Sequence, residues 1–335
     1  MKYFITSDIH SFYTPFIDAL NEAGFDINNP EHILVINGDL FDRGEETVKL
    51  LNYVKALPKE RRVLIRGNHE YLLMDLLNKE YPQSHDWSNG TVFTCYHLYT
   101  NLYPKSELIK KYNEVKALEN NWIALMDWVE IQAFNYLMEM ILTKQMWTRM
   151  CNEIKKSGII DWIKSDEWVN YFEVNNYIIT HSFIPVERLV STYFDDRYDI
   201  IANWRELKNS AWVDATWGCP YELFDLGLFN REVEQGKVLV CGHWHCSDFH
   251  LHYESELKGP GSYYRDNYTN DLNEIYYGDN LIALDACTVL SGFVNVLIID
   301  DKGEVYNQHG EKLTKELSKS KVIMTRPIIE TTTIK

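Results

Sequence analysis

The sequence is poor in cysteine and contains no long apolar run. Its six cysteines are scattered over 335 residues, whereas a small secreted domain stapled by disulfides has them closely spaced. No stretch approaches the roughly 18 uncharged apolar residues of a membrane helix. The chain also reaches Asp8 without the apolar core of a signal peptide. These absences predict a reduced, cytoplasmic protein without a membrane partner.

Basic residues are also scarce. Lys and Arg number 33 against 49 Asp and Glu, which gives a formal net charge of −16 at pH 7. Such a surface repels the phosphate backbone of nucleic acids at long range, so broad nucleic-acid binding is not expected. Apolar residues make up 45% and charged residues 24%, proportions typical of ordinary globular proteins.

Strand-like and helical segments alternate in the first seventy residues. The predicted strands cover residues 2–6, 33–36 and 63–65, and the predicted helices cover residues 13–23, 45–57 and 69–78. Further strand-like runs lie at residues 177–180, 238–241, 281–284 and 293–299. This alternation predicts an α/β layered fold with crossover connections.

A helical segment interrupts this pattern at about residues 104–157. Its apolar side chains recur at steps of three and four from Leu108 to Val129, and methionines continue that spacing as far as Met150. We interpret the segment as a helical insertion that forms helix–helix core; the alternatives are an adaptable binding surface or a cover over the substrate groove. The predicted catalytic domain covers residues 1–312, and a polar tail covers residues 313–335.

Five polar clusters stand out, and four of them directly follow an apolar strand. They are Asp8-Ile9-His10, residues 38–44, residues 66–70, His181, and Gly242-His243-Trp244-His245. Because ligand sites of open α/β sheets lie outside the carboxyl ends of the strands, we expect these clusters to converge in space. His250 and His252, just beyond the last cluster, are interpreted as surface or sheet histidines.

Seven side chains in these clusters are candidate metal ligands. They are Asp8, His10, Asp39, Asn68, His181, His243 and His245. Seven ligands are too many for one transition metal and suit two ions that share a bridging carboxylate. Mixed imidazole and carboxylate ligands favour Mn, Fe or Zn over Mg or Ca. The sequence therefore predicts two divalent metal ions, with Mn preferred and Fe or Zn as alternatives.

The same clusters contain groups suited to phosphoryl transfer. Two dications with two carboxylates and a bridging hydroxide leave a positive charge to receive a phosphate. His69 could protonate a leaving alkoxide, and Asp42 could orient its ring. Arg43 and Arg66 are candidates to bind phosphate oxygens, together with Asn68.

These motifs resemble a known family. Asp-x-His, Gly-Asp-x-x-Asp-Arg-Gly and Arg-Gly-Asn-His-Glu together resemble the calcineurin-like metallophosphoesterases. Within that superfamily the chain is most similar to the phosphoprotein phosphatase branch, with its bacteriophage lambda-type phosphatases and diadenosine tetraphosphatases. The resemblance covers about residues 1–100 and 158–300. It implies a central β-sandwich flanked by helices, with the metals at its edge.

The resemblance also implies roles for individual residues. Asp8, His10 and Asp39 would hold the first metal, with Asp39 bridging, and Asn68, His181 and His243 would hold the second. His69 and Asp42 would form the acid pair, and Arg43 would bind the phosphate. A further phosphate-binding arginine is common in the branch, and Arg205 is a candidate for it. The chain departs from the branch in Gly-His-Trp-His, where Gly-His-Thr is usual. His245 thus resembles the wider superfamily, including phosphodiesterases, in which it joins the first metal.

We therefore expect a dinuclear-metal-dependent phosphoric ester hydrolase. The favoured activity is that of a serine/threonine-type phosphomonoesterase, with a metal-bridging hydroxide as nucleophile and His69 as general acid. Its substrate would be a phosphorylated protein or a small phosphorylated molecule. The alternatives are a dinucleoside polyphosphate hydrolase or phosphodiesterase, and a catalytically silent scaffold that binds a partner.

Overall fold

The computed structural model describes residues 1–123, 130–192, 195–229, 234, 236–254 and 270–313. The strands are β1 (Lys2–Thr6), β2 (His32–Asn37), β3 (Arg62–Ile65), β4 (Trp168–Val169), β5 (Tyr171–Val174), β6 (Tyr177–Thr180), β7 (Val186–Thr192), β8 (Asp195–Ile200), β9 (Val238–His245), β10 (Tyr276–Tyr277), β11 (Leu281–Asp285), β12 (Leu297–Asp300) and β13 (Val305–Tyr306).

The helices lie between the strands along the chain, and seven described helices follow one another between β3 and β4. The helices are α1 (Tyr13–Glu22), α2 (Thr47–Ala56), α3 (Asn68–Leu76), α4 (Ser84–Ser88), α5 (Thr91–Leu102), α6 (Glu107–Ile123), α7 (Glu130–Ile141), α8 (Lys144–Lys156), α9 (Ile159–Lys164), α10 (Asn209–Trp212), α11 (Pro220–Asp225), α12 (Cys246–Tyr253) and α13 (Thr288–Ser291). Across the described ranges, no helix combines the length and the apolarity needed to cross a bilayer.

Two mixed sheets form the centre of the fold. The first has six strands in the order β13-β12-β1-β2-β3-β4, with β1 to β4 parallel to one another. The second has five strands in the order β10-β11-β9-β6-β5, with β11, β9 and β6 parallel. Strands β7 and β8 pair separately as an antiparallel hairpin.

The alternation of apolar residues along the strands explains how the two sheets pack. Ile5 and Val35 of the first sheet share a buried cluster with Ile179 and Val240 of the second, so this core lies between the sheets. The alternate residues face outward: Phe4 and Leu34, for example, pack with the helices covering the first sheet. The predicted α/β sandwich flanked by helices is confirmed.

The helical insertion contributes to the core that covers the first sheet. Phe134, Met138, Trp147 and Met150 are buried in the same cluster as Phe4. Helices α7 and α8 both contact α5. The predicted helical run from 108 to 129 falls partly on residues 124–129, which lie outside the described residues, as does the predicted tail beyond residue 313.

Candidate metal centre

The predicted site residues come together where strands of both sheets end. Asp8 and His10 follow β1, Asp39 follows β2, and Asn68 lies just beyond β3 as the first residue of α3. His181 follows β6, and His243 lies near the end of β9. Because these strands are parallel within their sheets, their carboxyl ends meet at one edge of the sandwich.

The backbone at this edge is strained. Of nine non-glycine residues with positive φ in the described part of the chain, eight lie in the segments at the carboxyl ends of β1, β2, β9 and β11. They are Asp8, His10, Ser11, Asp39, Asp42, Arg43, His243 and Cys287. Such conformations are costly for residues with a side chain, and they concentrate at functional sites.

Two glycines allow backbone segments to approach carboxylates closely. A Cβ atom at Gly67 would collide with Asp39 Oδ1, and one at Gly242 would collide with Asp8 Oδ2 and the Ser7 side chain. Any side chain at these positions would therefore displace a carboxylate of the cluster.

One group of candidate ligands, the His181 group, consists of Asn68, Asp39, His181 and His243. The Asn68 side-chain oxygen lies 2.8 Å from His181 Nε2. That amide atom also lies 3.1 Å from His243 Nδ1 and 3.2 Å from Asp39 Oδ2. His181 Nε2 is in turn 3.4 Å from Asp39 Oδ1. With the amide oxygen in this position, four hydrogen-bond acceptors converge, which is the arrangement of ligands around a cation.

The other group, the His10 group, consists of His10, Asp39 and His69. Asp39 Oδ2 lies 3.7 Å from His10 Nε2 and 3.8 Å from His69 Nε2. Asp39 belongs to both groups, as a bridging carboxylate would.

Backbone carbonyls fix the orientation of two imidazoles. His10 Nδ1 donates to Phe41 O at 2.9 Å, and His181 Nδ1 donates to Asn37 O at 3.0 Å. In the neutral ring each Nε2 then has a lone pair available and faces Asp39. This pattern, in which one ring nitrogen is held by an acceptor and the other is directed inward, is typical of metal-binding histidines.

The electrostatics of the centre suit bound cations. Burial lowers the pKa of His243 to about 3 and that of His10 well below its usual range, so both rings are neutral near pH 7. Burial also lowers the pKa of His181, but the Asp39 and Asp8 carboxylates outweigh it and raise that pKa to about 10. The carboxylates thus favour positive charge at the position where the two groups meet. The residues fit the His/Asp site of a dinuclear metallophosphoesterase.

Two candidate ligands, Asp8 and His245, are not members of these two compact groups. Asp8 Oδ2 accepts the His243 backbone N–H at 3.0 Å and the Ser7 hydroxyl. His245 lies between Asp248 and Asp285, 3.9 Å from each, outside the two compact ligand groups.

A buried hydrogen-bond network surrounds Asp42. Its Oδ2 atom lies 2.6 Å from His69 Nδ1 and accepts the Thr91 hydroxyl at 2.8 Å, while Oδ1 accepts the Thr94 hydroxyl at 2.7 Å. Both threonines lie on the first turn of α5. The carboxylate therefore holds the His69 ring with Nε2 directed toward Asp39.

The three arginine candidates differ in their contacts. The Arg66 guanidinium donates to Ile163 O at 3.0 Å and to Ser165 O at 2.9 Å. These carbonyls belong to the last turn of α9 and to the residue that follows it, so they engage donors that the expected phosphate contact would use. Arg205 pairs with Glu173 and Glu234. Arg43 is half-buried and makes no hydrogen bond or ion pair to any residue that the structure describes, so its guanidinium is available to a ligand.

Sequence reasoning missed the part that Glu70 plays in holding the centre. The buried Glu70 carboxylate accepts the backbone N–H groups of Gly67 at 2.7 Å, Leu40 at 2.9 Å and Asp39 at 3.0 Å. Burial and the Asp39 charge raise its pKa to about 7 against these hydrogen bonds. The signal was a capping-box position, since Glu70 is the third residue of α3.

Comparisons with known proteins agree with this geometry. The sequence matches the calcineurin-like phosphoesterase family over residues 1–247. Since this match covers well over half of the chain, the protein belongs to that family, whose members hydrolyse phosphoric ester bonds. The predicted family membership and the prediction of a metal-dependent phosphoesterase are confirmed.

Individual relatives match over shorter segments. A symmetrical bis(5'-nucleosyl)-tetraphosphatase from Glaesserella parasuis serovar 5 (strain SH0165) is 39% identical over 77 residues, 23% of this chain and 27% of that protein. The asymmetrical bis(5'-nucleosyl)-tetraphosphatase PrpE from Bacillus velezensis is 37% identical over 76 residues, 21% of this chain and 30% of that protein. The match thus spans less than a third of either curated relative. A solved serine/threonine phosphatase from Saccharomyces cerevisiae aligns with 93% of this chain and 79% of its own, at 13% identity and a TM-score of 0.44.

Proposed function

We propose that the protein is a dinuclear-metal-dependent phosphomonoesterase of the serine/threonine type in which His69 is the general acid. The observation that carries the proposal is the His69–Asp42 pair, with 2.6 Å between His69 Nδ1 and Asp42 Oδ2. Since Nδ1 is held by the carboxylate, Nε2 is the nitrogen that can deliver a proton. It points to the side of the site where Asp39 lies.

The proposed ligand sets share Asp39. Asp8 and His10 would hold the first metal with it, and Asn68, His181 and His243 would hold the second. Two such ions, when bound, lower the pKa of a shared water and neutralise charge on phosphoryl oxygens. Asp39 is oriented for this position by the His69 backbone N–H, which donates to its Oδ1 at 3.0 Å.

Arg43 is proposed to bind the phosphate. It belongs to the same loop as Asp39 and Asp42, and its positive φ of 63° fixes an uncommon backbone course there. Its guanidinium can form a two-pronged contact with phosphate oxygens. Asn68 would orient the phosphate only through the metal that it holds, since its amide oxygen lies among the ligand atoms.

The acid pair indicates that the substrate is an ester of an alcohol, because such a substrate has a poor leaving group. A departing serine or threonine alkoxide is strongly basic and needs a proton in the transition state. A nitrophenolate or a nucleotide phosphate leaves with little help. The departure of such an alkoxide requires a buried histidine whose ring is held by a carboxylate, and here two hydroxyl groups donate to that carboxylate in turn.

Initial rates on p-nitrophenyl phosphate and bis-p-nitrophenyl phosphate test the proposal. After chelator treatment, Mn²⁺, Fe²⁺ or Zn²⁺ is added separately, and phosphoserine peptides follow. We expect metal-dependent turnover with a strong preference for the monoester. Equal or faster diester hydrolysis would contradict the monoesterase assignment. The absence of turnover with every metal would favour the scaffold alternative.

A second candidate is the hydrolysis of dinucleoside polyphosphates. The specific observation in its favour is that both curated relatives described above are bis(5'-nucleosyl)-tetraphosphatases. Diadenosine tetraphosphate is therefore the first nucleotide to try, with products separated by ion exchange. A kcat/KM above that for phosphoserine peptides would establish this candidate over the first.

His245 is proposed as an additional ligand of the first metal. Replacement by Asn separates this role from a structural one. Loss of one of two bound metal equivalents, measured by mass spectrometry of the purified protein, would support the role. Retention of both equivalents would exclude it.

A further inference from the structure

One large aromatic side chain lies exposed beside the metal centre. The Trp217 ring centroid is 5.8 Å from that of His243, and the two planes are nearly perpendicular, at 87°. Yet 47% of Trp217 is exposed to solvent. By contrast, Trp147, Trp204 and Trp212 are almost completely buried. An indole left half in water is an apolar surface available to a ligand.

The backbone around Trp217 is held by residues next to a candidate metal ligand. Trp217 ends a short 3-10 helix, Asp214–Trp217. The Phe183 N–H donates to Ala215 O at 3.3 Å, and the Ser182 hydroxyl donates to Gly218 O. Ser182 and Phe183 directly follow His181. The position of the indole is thus coupled to the strand end that carries His181.

We propose that Trp217 determines specificity by packing against an aromatic ring on the alcohol side of the substrate. This inference rests on the proposed function, because a phosphate held by the centre is what would bring the ring to Trp217. The chemistry of the ligand is a flat aromatic or heteroaromatic ring joined to the phosphate through an ester. A phenyl ring close to the ester or a nucleobase farther away could supply it.

Two matched substrate pairs test for such a contact. Benzyl phosphate and cyclohexylmethyl phosphate have similar size and similarly basic leaving groups, but only the first is aromatic. Adenosine 5'-monophosphate and ribose 5-phosphate share the phosphorylated sugar, but only the first carries a nucleobase, which a hydroxyl group replaces in the second. We expect Trp217→Ala to lower kcat/KM about threefold to tenfold for the aromatic member of one pair. The non-aromatic partner should change less than twofold.

The pair that responds identifies the source of the ring. Trp217→Phe should restore most of the loss, since phenylalanine still offers an aromatic face. Tyr136→Ala serves as the matched control, because Tyr136 is 45% exposed on α7 in the insertion. Equal losses within each pair, or no loss in either, would overturn the inference.

A binding measurement gives a readout that does not depend on turnover. p-Nitrobenzylphosphonate cannot be hydrolysed as an ester, and its nitroaromatic ring quenches the fluorescence of an indole that it contacts. We expect saturable quenching in the wild type and in Tyr136→Ala, and loss of most of it in Trp217→Phe. Quenching that Trp217→Phe does not reduce would overturn the inference.

The two measurements distinguish failure of this inference from failure of the proposed function. Quenching by Trp217 without turnover of any ester would support the ring contact and contradict the phosphomonoesterase. Metal-dependent turnover without aromatic preference or Trp217 quenching would contradict the ring contact alone. Absence of both would overturn both.

Discussion

Two buried histidines in this fold each contact a carboxylate, yet only one is placed for chemistry. His69 Nδ1 lies 2.6 Å from Asp42 Oδ2 at the metal centre. His250 Nδ1 lies 2.7 Å from Glu254 Oε2 one turn along α12. Both rings are almost fully buried. Burial and a carboxylate partner therefore do not by themselves distinguish a functional histidine from a structural one.

The difference lies at the second ring nitrogen. His69 Nε2 faces Asp39 Oδ2 at 3.8 Å, a distance too long for a hydrogen bond, on the side where the candidate ligands converge. His250 Nε2 contacts the backbone carbonyl of Glu274 at 3.2 Å. Since both nitrogens of His250 face acceptors, its ring joins α12 to the segment before β10. A histidine becomes available for proton transfer when one nitrogen orients the ring and the other is not committed to protein acceptors.

The largest effect is expected from His69→Asn. Asn can keep a hydrogen bond to Asp42 but cannot deliver a proton, so kcat on alkyl phosphates should fall about 10²–10⁴-fold. The loss should be much smaller for p-nitrophenyl phosphate, whose leaving group needs little protonation. Steady-state kinetics on a series of leaving groups measures this dependence.

His69 also lies within the His10 group of candidate ligands. Measuring the metal content of His69→Asn therefore separates its acid role from a ligand role. Retention of both metal equivalents in His69→Asn supports the acid assignment. If one equivalent is lost and all substrates slow equally, His69 is instead a ligand. Unchanged turnover on alkyl phosphates would remove it from the mechanism.

His250→Asn should give the opposite phenotype. It removes a buried hydrogen bond to a carboxylate and one to a backbone carbonyl, so the free energy of unfolding should fall by about 2 kcal/mol. Urea denaturation of the metal-loaded protein measures the loss. The kcat per folded molecule should stay within twofold of wild type. A tenfold loss of kcat at full folding would show that the two histidines are less different than their contacts indicate.

The convergence of the candidate ligands could be predicted because it depends on topology. Once residues 1–65 are assigned to parallel strands, Asp8, Asp39 and Asn68 must lie along one sheet edge. His181 and His243 follow strands of the second sheet by the same logic. Since these side chains are carboxylates, an amide and imidazoles, they indicated a site for divalent metal ions at this edge.

Side-chain directions and helix assignment were harder to predict. Arg66 directly follows β3, at a position expected for a phosphate-binding residue, and the carboxyl end of α9 lies beside it and supplies two carbonyl acceptors. His250 and His252 alternate as in a strand, whereas they lie on α12, where His250 faces the core and pairs with Glu254. Both outcomes depend on which distant segment packs nearby, and local spacing does not contain that information.

The smallest effect is expected from Thr94→Val, which tests how the Asp42 carboxylate is held. The Thr94 hydroxyl donates to Asp42 Oδ1 at 2.7 Å and accepts the Asp42 backbone N–H at 2.9 Å. Losing it leaves the His69 ring less firmly oriented, so kcat on alkyl phosphates should fall about threefold to tenfold. Thr100→Val on the same helix is the control, because the Thr100 hydroxyl donates to His97 O instead.

A double-mutant cycle decides whether that effect acts through His69. In the His69→Asn background the Thr94→Val change should alter kcat less than twofold, because no imidazole is left for Asp42 to orient. Its cost in unfolding free energy should persist in both backgrounds, since the Asp42 hydrogen bond is lost in each. Equal losses of kcat in the two backgrounds would mean that Thr94 supports the site independently of the acid pair. The Asp42 carboxylate would then have the same structural role as Glu254 has beside His250, even though His69 lies at the candidate metal centre.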